Sequence, residues 1–211
     1  MLSPEIKDWI SAGKDVSVGV AALVTMFLAI YGVRTWKRDL VGKEVYSAAR
    51  LLVKESHLAA KAARKLRSPI RDEERKEFSE TEIKNLTACE RWRVSEASAY
   101  ENRKKEFGLQ IDQYESAKLD LRVLAGSRIY EGYLQFGAAL TECIHRTNNY
   151  VEILQDQSIF LLEDSPEIVE AQKSLYPSEN LDDELSQKIA NSREHGEVAL
   201  LKLLHRSSIY D

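Results

Sequence analysis

The chain has 211 residues, 44% of them hydrophobic and 30% charged, and its 30 basic and 34 acidic residues leave a net charge of −4. An acidic total with the basic residues concentrated in one stretch argues against a general polyanion binder. The two cysteines, Cys89 and Cys143, form no Cys-x-x-Cys pair and read as buried thiols rather than as metal or redox ligands.

Residues 1–15 read as a short extracytoplasmic tail. Ser3 is placed to cap a helix whose first position is Pro4, and Ile6, Trp9 and Ile10 share a face that can lie on a membrane surface. Val16 to Val33 is an uncharged run bracketed by Lys14-Asp15 and Arg34. About 18 residues at 1.5 Å per residue cover roughly 27 Å, enough for a bilayer core. A secretory signal starts basic and ends on small residues, whereas Glu5, Asp8 and Asp15 precede this run and no Ala-x-Ala closes it. A buried core helix is the other reading, but the run is apolar on all faces and the later helices are amphipathic. Trp9, Tyr31 and Trp36 stand at its ends, where aromatic rings favour the headgroup layer. The expectation is a transmembrane helix over 16–33.

Its flanks set an orientation. Lys7 and Lys14 precede the run, while Arg34, Lys37, Arg38, Lys43 and Arg50 follow it. Positive charge stays on the cytoplasmic side, so the N-terminus is expected outside and residues 34–211 inside. Arg34, Lys37 and Arg38 are placed to meet lipid phosphates. Ser17, Ala21, Thr25 and Ala29 recur every four residues, a ladder of small side chains that lets two spans approach closely and predicts self-association.

Beyond the span the helix is expected to continue to about residue 67, with Val41, Val45, Ala48, Leu52, Ala59, Ala63 and Leu66 on one face and Gly42 as its weak point. Its many alanines predict a closely packed partner. Ser68-Pro69 ends it. A second helix is expected over about 81–125, capped by Ser79 or Thr81, with Glu82 one position off an ideal capping box. It carries Tyr100, Phe107, Tyr114 and Leu121 at sevens, joined by Ile111 and Leu124. Gly126-Ser127 reads as a turn. A third helix over about 127–161 has the cleanest pattern: Ile129, Tyr133, Phe136, Leu140, Cys143, Thr147, Tyr150, Leu154 and Leu161 keep a 4-3 alternation, with Gln157 in one place. The second and third helices are therefore expected to form a long antiparallel, coiled-coil-like hairpin, with Phe107, Ile111, Tyr114, Leu121, Ile129, Tyr133, Phe136, Leu140 and Leu154 as its seam. A short helix over 166–174 and a last one over about 182–205 follow, the latter with Leu185, Ile189, Ser192, Gly196, Ala199 and Leu203 inward. Strand signals are missing, so the fold class is all-α, a helical bundle long enough to bury one core.

Charge is unevenly spread. Arg34 to Asp72 holds eleven basic and four acidic residues, +7 in all, the first 33 residues sum to −1, and residues 73–211 carry −10. Lys61, Arg64, Lys65, Arg67 and Arg71 invite a nucleic-acid or lipid reading, but no aromatic residues interleave them to stack bases, and a solvated or acid-paired face is the better expectation. Glu142-x-x-His145 matches one element of a di-iron helical bundle; two such elements and two further glutamates are needed, so no metal and no cofactor is expected. The histidines His57, His145, His195 and His205 form no metalloprotease pattern, and no phosphate loop or nucleophile elbow occurs.

Trp36-Lys37-Arg38-Asp39-Leu40, Gly42-Lys43, Tyr46 and Ala49-Arg50, followed by Arg64, Arg67 and Pro69 and then by Tyr100 and Arg103, resemble the juxtamembrane and first-helix signature of uncharacterised bacterial single-span inner-membrane proteins with a helical cytoplasmic domain. The resemblance implies a bacterial inner-membrane location and points to no particular activity. The functional expectation is a membrane-anchored, non-enzymatic interaction or scaffold protein that touches lipid and self-associates or binds a protein through its helical domain. The alternatives are a phage-type lysis or envelope-spanning component with the coiled region outside, and a nucleic-acid binder.

Overall fold

The computed structural model describes residues 4–156, 165–177 and 183–204. Every regular element among them is helical: α1 (Pro4–Leu66), α2 (Glu80–Asn85), α3 (Ala88–Ala125), α4 (Leu134–Gln155), α5 (Pro166–Leu175) and α6 (Glu184–Leu204), with 3-10 turns at Asp72–Glu74 and Ser127–Tyr133. The all-α class read from the sequence is the class of the structure. The chain divides into two compact units, Met1–Glu44 and Val45–Asp211, and α1 contributes residues to both.

The first unit is helical from Pro4, where a fixed φ and a missing N–H cost a helix nothing. Gly42 does not break α1, and a Cβ built there meets nothing within 4 Å. Each side chain from Ser17 to Val33 is exposed.

In the second unit, α1 turns Ala48, Ala49, Leu52, Ala59, Ala63 and Leu66 into the core. Val45 is partly buried and Val41, expected on this stripe, is 41% exposed, so the packed face starts later than its spacing suggests. α3 runs antiparallel to this part of α1: Gln110 donates to Glu55 at 2.9 Å, and Lys65 pairs with Glu106.

The helix expected over 81–125 is two helices, because the sequence carries two capping boxes in series. Ser79 caps α2, its hydroxyl accepting from the Glu82 N–H while the Glu82 carboxylate accepts from the Ser79 N–H at 2.9 Å. Glu82 is therefore in ideal register with Ser79. Thr87 and Glu90 repeat the device at the start of α3, and the extended backbone at Leu86 separates the two helices. Gly126 ends α3 with φ +85, a conformation closed to most side chains, and its N–H donates to the Arg122 carbonyl at 2.9 Å.

The third helix also departs from its expected bounds. Residues 127–133 are wound as a 3-10 turn, α4 begins only at Leu134, and it ends at Gln155 with Asp156 as C-cap. Gln157 and Leu161 lie outside the described residues. The tight turn brings Gly132 within 3.1 Å, measured from an added Cβ, of the Gly196 Cα, and it seats the Tyr133 ring on α6. From there the 4-3 alternation holds: Tyr133, Phe136, Leu140, Cys143, Thr147, Tyr150 and Leu154 are all buried. α3 and α4 are antiparallel, with Tyr114 stacked edge-on against Phe136 and Tyr100 against Tyr150, both at 5.3 Å between centroids. α5 packs on α4 through buried Ile168 and Leu175, and α6 packs on α4 and the 3-10 turn. On α6 the buried line is Leu185, Ile189, Ser192, Gly196 and Leu200; Ala199, expected inward, is exposed because the stripe drifts by one residue after Gly196.

A methyl group at residue 196 would fall 2.7 Å from the Tyr133 ring, inside van der Waals contact with a buried aromatic. Gly196→Ala should therefore lower stability by about 1–3 kcal/mol despite its better helix propensity, whereas Gly42→Ala, in open space, should be neutral or stabilising. Denaturant unfolding followed by circular dichroism separates the two.

Candidate functional site

The candidate surfaces are found by asking which polar groups the fold uses internally. Helices leave their last four carbonyls without partners, and these ends carry partial negative charge. In the second unit arginines fill that need at four helix ends. Arg103 donates to the carbonyls of Lys65, Ser68 and Pro69 after α1, and its fork also grips Glu74. Arg91 donates to Ile83 and Leu86 at the end of α2, at 2.9 and 2.8 Å. Arg93 reaches the carbonyls of Leu154 and Asp156 at the end of α4. Arg146 and Arg67 take Ser174 and Leu175 at the end of α5, at 2.9 and 3.0 Å.

Arg67 does the most. Its side chain is 1% exposed, the largest fully buried one among the described residues. Besides Leu175 it binds Asp183 bidentately at 2.7 and 2.8 Å, and it donates to the Ser186 hydroxyl at 2.8 Å. Asp183 is itself the cap of α6, accepting from the Ser186 N–H at 2.9 Å. One guanidinium thus joins the end of α1, the end of α5 and the start of α6. Burial alone pushes the Asp183 carboxyl upward, but hydrogen bonds from Arg67 and Ser186 outweigh it and hold the group at about 2. The hydrogen bond from Arg103 similarly holds Glu74 at about 2.

The basic cluster Lys61, Arg64, Lys65, Arg67 and Arg71 is therefore not one face. Arg67 is inside and Lys65 pairs with Glu106. Lys61, Arg64 and Arg71 stay exposed, and the main-chain N–H of Arg71 donates to Glu74 at 3.1 Å. Buried aromatics line the other side of the core: Tyr100, Tyr150 and Tyr176 surround the buried Glu96, and burial raises all three phenols far above their ordinary range. Tyr100 also donates to the Ser68 carbonyl at 3.2 Å, so it too supports the turn after α1.

Of the seam residues named from the sequence, Phe107, Tyr114, Leu121, Tyr133, Phe136, Leu140 and Leu154 are buried, and Ile111 and Ile129 are partly buried. They pack in a core shared with α1, α5 and α6 rather than in a two-helix seam. Glu142 accepts from Lys188 and Arg146, which lower its carboxyl pKa, while His145 is exposed. Burial pushes the Cys143 thiol up to about 11; Cys89, expected buried as well, is only partly so. In the first unit, Tyr31, Arg34, Trp36, Lys37 and Arg38 are exposed, as are Ser17, Ala21, Thr25 and Ala29, and the Thr25 hydroxyl donates to the Ala21 carbonyl at 2.8 Å. The Trp9 side chain lies outside the described residues.

The arginine caps were not found from the sequence, because their acceptors are main-chain carbonyls. The Thr87-x-x-Glu90 box and the Asp183-x-x-Ser186 cap were readable signals that the spacing did hold.

Arg67→Ala should cost about 3–5 kcal/mol by leaving the partly buried Asp183 carboxylate and the Leu175 carbonyl without their partner. Combined with Asp183→Asn the loss should be clearly less than the sum, measured by a double-mutant cycle on the detergent-solubilised chain. Asp183 has its ordinary value near 3.8 and a folded value of about 2, so its pairing contributes stability above pH about 4 that is lost as pH falls through about 2. Acid titration of stability should show this component in the parent chain and not in Asp183→Asn.

Compared with known proteins, the chain matches no family model, and no curated protein or solved structure is significantly similar to it.

Proposed function

We propose that this protein is a membrane-anchored, non-enzymatic interaction module, in which residues 16–33 cross the bacterial inner membrane, the N-terminus lies outside and the helical unit works in the cytoplasm by docking protein. The observation that carries the reading is the exposure of the apolar run. α1 contains a window of mean hydropathy 1.7, none of it buried, and each side chain from Ser17 to Val33 is open. An apolar surface of that length is stable in lipid and a liability in water.

The second unit supports the interaction half of the proposal. Its unusual side chains, the buried arginines, the tyrosines around Glu96 and the Cys143 thiol, are engaged in helix ends and core packing. What it offers outward are helix faces. The α3–α4 hairpin supplies a long rigid element of the kind that docks against other helices.

The anchor is tested by fractionation and topology. The chain should stay in the membrane pellet after alkaline carbonate extraction. A C-terminal reporter active only outside the cytoplasm should be silent, and the same reporter at the N-terminus active. Release by carbonate, or an active C-terminal reporter, contradicts the proposal. If the span ladder pairs, Ala21→Leu with Ala29→Leu should weaken span association in a membrane two-hybrid assay; an unchanged signal removes that part.

A further inference from the structure

The described part of the first unit is one helix, and its two long sides carry different chemistry. Val20, Leu23, Phe27, Ile30, Arg34 and Lys37 follow a 3-4-3-4-3 spacing, which sets them on one stripe. Tyr31 and Arg38 lie one turn beyond Phe27 and Arg34 on the same side. The apolar part of this stripe is bulky and open: Leu23 is 56%, Phe27 67% and Tyr31 71% exposed. The other side continues the small residues Ala21, Thr25 and Ala29 into Gly32, Trp36, Asp39 and Lys43.

Charge begins abruptly on the bulky side. The run from Val16 to Val33 has none, and Arg34, Lys37 and Arg38 then fall within about one turn, roughly 6 Å of rise. All three are exposed. Arg34 and Lys37 have no ion-pair partner among the described residues. Arg38 has Asp39 at 4.0 Å, a contact open to water that leaves most of the guanidinium donors available. On the other side of the helix Asp39 and Lys43 balance in charge. The far end of the run offers no counterpart, since Lys7 and Lys14 stand among Glu5, Asp8 and Asp15. The helix therefore presents one concentrated cationic spot, on one side only, in line with a bulky apolar stripe.

We propose that this side of α1 is a binding site for an anionic phospholipid. The acyl chains lie along Leu23, Phe27 and Ile30, and the phosphate is met by Arg34, Lys37 and Arg38. A phospholipid carries its charge at one end of its chains, and the stripe has the same order, apolar first and cationic last. Arginine answers a phosphate with a planar fork and lysine with a point charge. A zwitterionic headgroup brings its own cation, which cancels part of this attraction, whereas a headgroup of net negative charge keeps all of it. The site thus selects lipids by net charge. The small-residue ladder lies on the other side, so lipid binding and span pairing do not compete. The inference rests on the membrane-anchored reading and names the lipid class that the anchor takes.

The test reconstitutes the full chain in phosphatidylcholine vesicles containing a minor share of phosphatidylglycerol. Trace spin-labelled phosphatidylglycerol or phosphatidylcholine is followed by electron paramagnetic resonance, which reads lipid held on the protein as a motionally restricted fraction. Phosphatidylglycerol should be held about three- to tenfold more strongly than phosphatidylcholine, and the preference should shrink with salt. Arg34→Gln with Lys37→Gln and Arg38→Gln should bring the ratio close to one. Single substitutions locate the site: Arg34→Gln should lower the ratio, whereas Lys43→Gln, which removes the same charge from the other side, should leave it unchanged. All four positions are exposed, and circular dichroism checks that each variant keeps its helix. Equal retention of the two lipids by the parent, a ratio that survives the triple substitution, or equal effects of Arg34→Gln and Lys43→Gln would each overturn the site. A chain that does not float with the vesicles removes the anchor along with the site. A chain that floats and holds both lipids alike overturns the site and leaves the anchor standing.

Discussion

A guanidinium placed out of water is costly unless its nitrogens are answered, and each of the three nitrogens of Arg67 has a partner. Its planar fork can satisfy a carboxylate with two parallel bonds and still reach a carbonyl, which a lysine cannot do. The end of α1, the last turn of α5 and the first turn of α6 therefore meet at one side chain. Around it, Arg103, Arg91, Arg93 and Arg146 repeat the same logic on smaller scale, each closing a helix end with a positive charge where the helix dipole is negative. The second unit holds together through an apolar core, and these arginines determine where its helices stop and how the next ones begin.

That use of charge changes the meaning of the basic stem and acidic body. Part of the positive charge along 34–72 is already paired: Arg67 inside the unit with Asp183, Lys65 with Glu106 and Lys54 with Glu55 at its surface. What remains on α1 beyond Val45 are Arg50, Lys61 and Arg64 on its outer side, beside exposed Lys105, Asp112 and Asp120 and the exposed Leu109, Leu119 and Val123 on α3.

The sequence was most legible where a periodic apolar pattern met a long helix. The α4 stripe from Tyr133 to Leu154 could be read residue by residue, because a 4-3 alternation has one geometric meaning. The class, the Gly126 turn and the apolar run were readable for the same kind of reason. The division of the second helix was encoded but missed: Ser79 and Thr87 each stand three residues before a glutamate, and the continuous apolar spacing beyond them hid the break. The 3-10 turn at Ser127–Tyr133 depends on Gly132 and Gly196 meeting across 64 residues of chain, which no local pattern reports. Arg67 was read as one member of an outward basic cluster. Its partners are a carbonyl and an aspartate 116 residues away, and a carbonyl has no side chain to announce it. Tyr100, Arg103 and Pro69, grouped at first only by resemblance, turn out to be neighbours at the turn after α1.

The account makes Arg67 the joint of three helix ends, and amide hydrogen exchange of Arg67→Lys tests that directly. Lysine keeps the charge and loses the fork. Exchange should accelerate in the last turn of α5 and the first two turns of α6, while the paired middles of α3 and α4 keep their protection. Unchanged exchange at those ends, or an equal loss of protection throughout the unit, would contradict the claim.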